Sequence, residues 1–151
     1  DCSTDGTRAI VKEYEKKHPL KIHAIYQEHN VGFMRNAFEF TLPKCKGKYI
    51  AMLEGDDHWT DPYKLQKQVD FLEANTDSVI CAHAVTEIDK NEQVTRILEP
   101  EILKSKYTYR DIILSITLWT HSVVFRNCVT TIPDWIFSLP ACDFSLCLML
   151  P

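Results

Sequence analysis

The sequence has no apolar stretch that approaches the ~18 residues of a membrane-spanning helix. It also lacks an excess of basic residues, because the formal net charge is −4, which argues against a nucleic-acid partner. Its first residues, DCSTDGTR, do not have the pattern of a signal peptide. With 151 residues and no internal repeat, low-complexity segment or linker, the chain is expected to form one globular domain, residues 1–151.

The cysteines lack the spacing of a zinc ribbon. There are six, and no pair is arranged as C-x-x-C. Several lie in apolar runs, such as Cys81 in SVICAHAV, which favours buried thiols over disulfides. Reduced thiols in turn predict a cytoplasmic location. The chain begins on a loop and helix cap and ends within a helical pattern. We therefore expect a fragment whose first strand is missing, with any membrane association made through parts outside this chain.

Helical and strand patterns alternate through the first half. Helices are predicted in TRAIVKEYEKK, in NVGFMRNAFEFTL after Asn30, and after Asp61-Pro62, while strands are predicted at 20–26, 49–53 and 78–85. This order predicts an α/β fold with a mainly parallel, Rossmann-like sheet and flanking helices. The second half is less regular. It predicts a hairpin around residues 89–91, a helix in TYRDIILSI, a strand in HSVVFRN and a helix start in CDFSLCLML.

The most informative stretch is KYIAMLEGDDHWTDPYKL, where an apolar strand ends in an acidic cluster. In open α/β sheets, ligands bind beyond the carboxyl ends of the strands. If the extended form persists past Gly55, Glu54 and Asp56 point one way and Asp57 the other. Carboxylates at such an edge suit Mg²⁺ or Mn²⁺. The alternative is a solvated loop that caps the next helix, although Asp61 is better placed for that capping.

Four motifs in succession resemble those of family 2 glycosyltransferases with the GT-A fold. They are DCSTDGT, NVGFMRNAF, GKYIAMLEGDDHWTDPYKLQKQVDFLE and SVVFRN. The resemblance covers nearly the whole chain, in the family's order. It implies inverting transfer of a sugar from a nucleotide-diphosphate donor to a hydroxyl of a glycan or other acceptor, assisted by Mn²⁺ or Mg²⁺.

The resemblance also implies roles for the acidic cluster. EGDD matches the family's D-x-D region, so Asp57 would bind the cation that holds the diphosphate. Asp56 would contact the ribose or the donor sugar. Glu54 stands where the family often has Asp, and it is a second candidate metal ligand.

Further nucleotide-binding residues follow from the first two motifs. Asp1 matches the second of two adjacent acids that meet the nucleoside, and the first acid is absent from the chain. Gly32 and Arg35 match a glycine and a basic residue near the nucleotide. The alternatives are a helix cap for the Ser3–Asp5 segment and a surface arginine at position 35.

The catalytic base is assigned by resemblance to Asp143 in LPACDFSLCLML. An inverting transfer needs a group that accepts the proton of the attacking hydroxyl. The alternative for Asp143 is an N-cap of the final helix. His58 and His121 are weak candidates near the site, and His83 is predicted to be a core histidine.

Two other functions remain compatible with the residues. A nucleotidyltransferase also uses a nucleotide, a metal and an acidic strand end, but its Gly-rich basic signature is not visible. The second alternative is a glycosyltransferase fragment that folds but does not catalyse transfer, for instance as a homo-oligomer that swaps elements. Trp59 and Trp119 are candidates for stacking on a sugar, with core or rim packing as the alternative.

Overall fold

The computed structural model describes residues 2–99, 106–115, 118–139 and 142–151, with the side chains of residues 114–115 and 142–143 left out. The chain divides into two compact units, Asp1–Cys45 and Lys46–Pro151. Within the described residues, no helix combines the length and apolar character needed to cross a membrane.

The first unit opens with helix α1, Thr7–Lys17, as predicted. Its first turn is tied by Asp5, whose Oδ1 accepts the Thr7 N–H at 3.0 Å. Lysines occupy its last turn, where they complement the helix dipole. α1 buries no residue, so the contacts at its ends and its charge pattern determine where the helix lies more than packing into a core does.

The strand predicted at residues 20–26 is wrong, because this segment joins no ladder in the described structure. Glu15 of α1 holds it instead: its carboxylate accepts the Ala24 N–H at 2.8 Å and the Tyr26 hydroxyl at 3.0 Å. Alternation of apolar residues shows which side chains share a face, but a strand also needs a neighbouring strand with which to pair.

The predicted second helix is present as a mixed helical segment. It comprises α2, Phe33–Arg35, a π-helical turn, Asn36–Thr41, and a 3₁₀ turn, Leu42–Lys44. Gly32 precedes it with φ 79° and ψ 156°, a conformation that glycine adopts far more easily than other residues. The Asn30 Oδ1 accepts the Gly32 N–H at 2.8 Å, so Asn30 supports the turn before the helix.

A three-stranded sheet organises the second unit. Its order is β1 (Tyr49–Ala51), β5 (Val124–Arg126), β2 (Ile80–Cys81), and β5 is antiparallel to both neighbours. β1 and β2 therefore run in the same direction on either side of β5. The α/β class is confirmed, whereas a mainly parallel sheet is not: in the described residues, the parallel pair is separated by a strand from much later in the chain.

Helix α3, Lys64–Ala74, connects β1 to β2 and packs on the sheet. Asp61 caps the turn before it, because Asp61 Oδ1 accepts the Tyr63 N–H at 2.8 Å. The sequence predicts that an apolar stripe of Leu65, Val69 and Leu72 forms the buried face of this helix. Instead, Leu65 is 41% exposed, and the buried face carries Lys64, Gln68 and Leu72. Two polar side chains thus lie on the buried face of α3.

The β1 strand is less buried than its apolar run predicts. Ile50 is buried, but Ala51 is exposed and Leu53 is 46% exposed. A short, continuously apolar run predicts a strand buried on both faces, and this prediction is wrong for the segment. His83 is also exposed, which corrects its prediction as a core histidine.

The hairpin and the two helices predicted in the second half are present, whereas the strand predicted at residues 78–85 is reduced to Ile80–Cys81 and to Val85 at the start of the hairpin. A hairpin pairs β3, Val85–Ile88, with β4, Val94–Leu98, and α4 spans Tyr109–Ser115. Short 3₁₀ helices at Thr120–Ser122 and Asp134–Ser138 and helix α5, Cys142–Met149, complete the unit. Its most deeply buried apolar side chains are Leu72, Val123, Val124, Phe125, Ile136 and Leu146. The described cysteine side chains, those at positions 2, 45, 81, 128 and 147, form no disulfide, which agrees with the predicted thiols. The predicted burial holds for Cys147, whereas the other four are half-buried.

Candidate functional site

The acidic cluster turns directly after β1. The Asp57 N–H donates to the Glu54 carbonyl at 3.3 Å, which closes a turn through Gly55 and Asp56. The extended form therefore does not persist past Gly55, and the predicted alternation is wrong. The turn places Glu54 and Asp57, rather than Glu54 and Asp56, at one point.

His121 joins these two carboxylates from the 3₁₀ helix that precedes β5. Its Nδ1 lies 2.8 Å from Asp57 Oδ2 and 4.0 Å from Glu54 Oε2. One candidate ligand atom from each of Glu54, Asp57 and His121 lies within 4.8 Å of the others. We call these residues the carboxylate–histidine cluster. Its side chains are between 24% and 35% exposed, so the cluster is partly shielded and still open to a ligand.

The cluster has donors that suit a divalent cation. Glu54 Oε2 is buried and has no hydrogen-bond partner among the described residues. A buried carboxylate oxygen without a partner is costly, and a cation would remove that cost. The carboxylate oxygens suit both Mn²⁺ and Mg²⁺. An imidazole nitrogen beside them is a ligand that a transition-metal ion such as Mn²⁺ accepts more readily than Mg²⁺ does. The residues present therefore fit the cation expected from the sequence.

The surrounding backbone fixes His121 in place. Ser122 is fully buried, and its Oγ donates to the Trp119 carbonyl at 2.7 Å, which stabilises the 3₁₀ turn. The Trp59 Nε1–H donates to the His121 carbonyl at 2.9 Å. Gln68 of α3 donates through Nε2 to the Ser122 carbonyl at 2.9 Å. Bonds from three parts of the unit thus hold the short segment that carries the imidazole.

The other predicted site residues have different surroundings. Asp56 is exposed at the tip of the turn, beside the cluster but outside it. Gly32 and Arg35 belong to the first unit, where Arg35 forms an ion pair with Glu39 at 2.6 Å. Asp1 lies outside the described residues. Asp143 is the second residue of α5, and its side chain also lies outside the described part.

Sequence reasoning gave too little weight to His121. The residue lies 64 positions after Asp57, and nothing in local periodicity connects the two segments. The available signal was its place just before the predicted strand HSVVFRN, which pairs with β1 in the structure. His58, by contrast, is exposed and is not among the residues of the cluster.

Comparison with known proteins gives a consistent result. The family model described as glycosyl transferase family 2 matches residues 1–129. An uncharacterised protein of Mycobacterium tuberculosis is 33% identical over 84% of this chain and 36% of its own length. The putative teichuronic acid biosynthesis glycosyltransferase TuaG of Bacillus subtilis is 45% identical over 48% of this chain and 27% of its own.

A third relative carries a more specific name. UDP-Glc:alpha-D-GlcNAc-diphosphoundecaprenol beta-1,3-glucosyltransferase WfaP of Escherichia coli is 32% identical over 68% of this chain and 39% of its own length. This chain therefore spans well under half of each of these relatives. No solved structure matches it. Since the family model covers most of the sequence, including the acidic cluster and β5, the chain belongs to glycosyl transferase family 2.

Proposed function

We propose that this chain carries the donor site of an inverting glycosyltransferase, which moves a sugar from a nucleotide-diphosphate donor to an acceptor hydroxyl with the help of a divalent cation. The observation that supports this most is the convergence of Glu54, Asp57 and His121 at the end of β1. Family membership supports sugar transfer in general. A nucleotidyltransferase function has no corresponding support from the comparisons.

The cation would be held by Asp57, with Glu54 and His121 as the further ligands. When bound, Mn²⁺ or Mg²⁺ would offset the negative charge that develops on the leaving diphosphate. Such a positive centre would offset the negative charge of Glu54, Asp56 and Asp57 toward an anionic donor. Asp56, exposed beside the cluster, would accept hydrogen bonds from the ribose or donor-sugar hydroxyls.

The remaining roles are proposals that rest on the resemblance. Asp1 would meet the nucleoside, and Gly32 would allow the nucleotide to approach the backbone closely. Arg35 would pair with a phosphate or stack on the base after leaving Glu39. Asp143 would accept the proton of the acceptor hydroxyl as its oxygen attacks the anomeric carbon and the bond to the diphosphate breaks. The acceptor, a glycan or another hydroxyl compound, a cytoplasmic location and a homo-oligomeric state stay predictions.

Donor binding is tested by thermal unfolding with and without Mn²⁺. We would measure the melting temperature with UDP-, GDP- and dTDP-sugars, beginning with UDP-glucose because the name of the Escherichia coli relative contains UDP-Glc. A ligand that binds only the folded state stabilises it by mass action, by about 2.7 kcal/mol at 100 times its Kd, and so raises the melting temperature. We expect one donor to give a shift that requires Mn²⁺.

The matched variant is Asp57→Asn, which keeps the side-chain shape and removes the charge. It should abolish the Mn²⁺-dependent part of the shift, while Asp89→Asn, in the hairpin turn, should retain it. No shift with any donor would contradict donor binding by this chain.

The role of Asp143 as the base is tested by comparing donor binding with sugar transfer. Asp143→Asn should leave the donor-dependent thermal shift intact and reduce sugar transfer by about 10²-fold or more, since general base catalysis contributes that much. Transfer at the wild-type rate would show that Asp143 is not the base. The neighbouring Ser145→Ala is the control, because Ser145 lies in the same helix and is fully buried.

A further inference from the structure

Lys64 is a buried cation whose ammonium group finds no hydrogen-bond acceptor among the described residues. The residue is 6% exposed, at the start of α3. Long lysine side chains normally reach water with their charged end even when the stem is buried. An ammonium group held away from water loses much of its hydration, which is unfavourable. Burial accordingly lowers the pKa of the Lys64 amine from its ordinary value. Core packing alone does not account for a lysine here, because an apolar side chain of the same length would avoid this cost.

The contact that Lys64 does make leads to the carboxylate–histidine cluster. Its Nζ lies 4.2 Å from the centroid of the Trp59 ring, within the range of a cation–π interaction. The same ring donates its Nε1–H to the His121 carbonyl. His121 in turn faces Asp57 at 2.8 Å. Trp59 is therefore fixed on its face by Lys64 and at its edge by His121, and it follows Asp57 by two residues.

α3 holds the His121 segment at two successive points. Gln68, one helical turn after Lys64, donates to the Ser122 carbonyl, and Lys64 contacts the ring of Trp59, which donates to the His121 carbonyl. The two polar residues on the buried face of α3 are thus the ones that connect to this short segment. This connection gives a reason for the two polar side chains on the buried face of α3, which the spacing of its apolar residues does not predict.

We propose that Trp59 and Lys64 are positioning residues, which fix the His121 imidazole against Asp57 and so set the geometry of the cluster. Residues that orient metal ligands from behind are worth about 10–100-fold in metal affinity. The expectation for metal affinity rests on the proposed function, whereas the orientation of His121 does not. Trp59 on this account serves the site through its N–H and not by stacking on a sugar.

The test combines two readouts on the same variants. Trp59→Phe keeps an aromatic ring and removes the N–H, and Lys64→Met keeps the length of the side chain and removes its charge. The first readout is the ¹H–¹⁵N NMR spectrum of the His121 ring without metal, with His121 assigned from a His121→Gln variant. The second is the Kd of Mn²⁺ alone, by calorimetry. Controls are Trp135→Phe and Lys90→Met, at exposed positions away from the cluster.

We expect Trp59→Phe and Lys64→Met to shift the His121 ring resonances, and the controls to leave them in place. Trp59→Phe should weaken Mn²⁺ binding about 10-fold. Lys64→Met should weaken it in the same direction while it keeps or raises the melting temperature, because it removes a buried charge without a partner. A merely structural role predicts a change in melting temperature with no change at His121.

Wild-type His121 resonances in Trp59→Phe and Lys64→Met would overturn the proposal, whether or not the chain binds Mn²⁺. If the wild-type chain binds no Mn²⁺, the proposed metal site is contradicted, and the NMR comparison still decides the positioning role. Shifted resonances together with an unchanged Kd for Mn²⁺ would overturn the part of the proposal that concerns metal affinity.

Discussion

Arg126, at the end of β5, donates hydrogen bonds to three separate parts of the second unit. Its Nε donates to the Ser78 carbonyl at 2.9 Å and its Nη1 to the Tyr49 hydroxyl at 3.1 Å. Its Nη2 donates to the Leu72 and Asn75 carbonyls at the end of α3. The side chain thus ties both neighbouring strand segments to a helix C-terminus, where a positive charge is favourable.

The planar fork of Arg126 should not be replaceable by lysine. Arg126→Lys keeps the charge but supplies one donor nitrogen for several carbonyls, so we expect a loss of about 2 kcal/mol in the free energy of unfolding. Urea denaturation measures this loss. Arg96→Lys, at an exposed position of β4, should change the free energy of unfolding by less than about 0.5 kcal/mol. Equal effects of the two substitutions would contradict the role given to Arg126.

Gly32 shows a purely conformational requirement. A Cβ at this position would meet nothing within 4 Å, yet φ is +79°, so strain and not crowding opposes a side chain. Gly32→Ala should cost about 1–3 kcal/mol in the free energy of unfolding. Gly6→Ala is the matched control, because its φ is −71° and its surroundings are also open, and it should be neutral or slightly stabilising. Urea denaturation of both variants distinguishes the two cases.

At the scale of elements, Glu15 connects α1 to the segment that follows it. The Ala24 N–H and then the Tyr26 hydroxyl hold the pKa of the Glu15 carboxyl below its ordinary value. A carboxyl whose pKa is lower in the folded state stabilises the protein above its unfolded pKa, and this contribution is lost as the pH falls through the folded pKa. The connection should therefore weaken in acid.

We expect Glu15→Gln to lower the melting temperature at pH 7, and the difference from the wild type to shrink as the pH falls below about 4, near the ordinary pKa of glutamate. Thermal unfolding followed by circular dichroism across this pH range is the measurement. Glu13→Gln is the control, because Glu13 pairs with Lys17 on an exposed surface and such pairs contribute little. A difference that is independent of pH would contradict the role of the Glu15 charge.

At the scale of the whole molecule, the buried core is unevenly distributed. Among the described residues, Phe38 is the buried apolar side chain of the first unit, and all the others belong to the second unit. α1 buries no residue, but Phe125 of β5 is fully buried. Local opening costs least where few apolar contacts must be broken. Amide hydrogens of α1 should therefore exchange much faster than those of β5.

Native-state hydrogen exchange, followed residue by residue by NMR, measures this difference. We expect the β5 amides to exchange with a free energy close to that of global unfolding, and those of α1 with a clearly lower value. Comparable protection in both elements would show that α1 opens only when the whole chain unfolds.

The sequence predicts the helices and the acidic strand end well, because both depend on local patterns. The cap at Asp61 and the helical pattern after it predict α3, although not which of its faces is buried, and the abrupt change from Leu53 to Glu54 marks the site. What it does not predict depends on distant partners. The pairing of β5 with β1 and β2, and the approach of His121 to Asp57, join segments more than 40 residues apart.

Buried polar residues were the other source of error. The sequence gives no reason to expect Lys64 and Gln68 in the interior, since burial of a lysine is rare. No local pattern predicts the aromatic partner of Lys64 or the carbonyl partner of Gln68. The contacts of Glu15 are not predicted by the sequence either, because its partners lie after the end of α1. In each case a polar side chain serves a contact across elements, which the period of one element does not encode.

The position of β5 between β1 and β2 also sets an order of events during synthesis. Tyr49 and Ile80 leave the ribosome long before their partners Arg126 and Phe125. At roughly 5–20 residues per second, β1 waits several seconds with both edges unpaired. Because His121 precedes β5 directly, the cluster and the sheet are completed together. A nascent chain arrested before residue 126 therefore has neither, and it exposes strand edges that chaperones would have to cover.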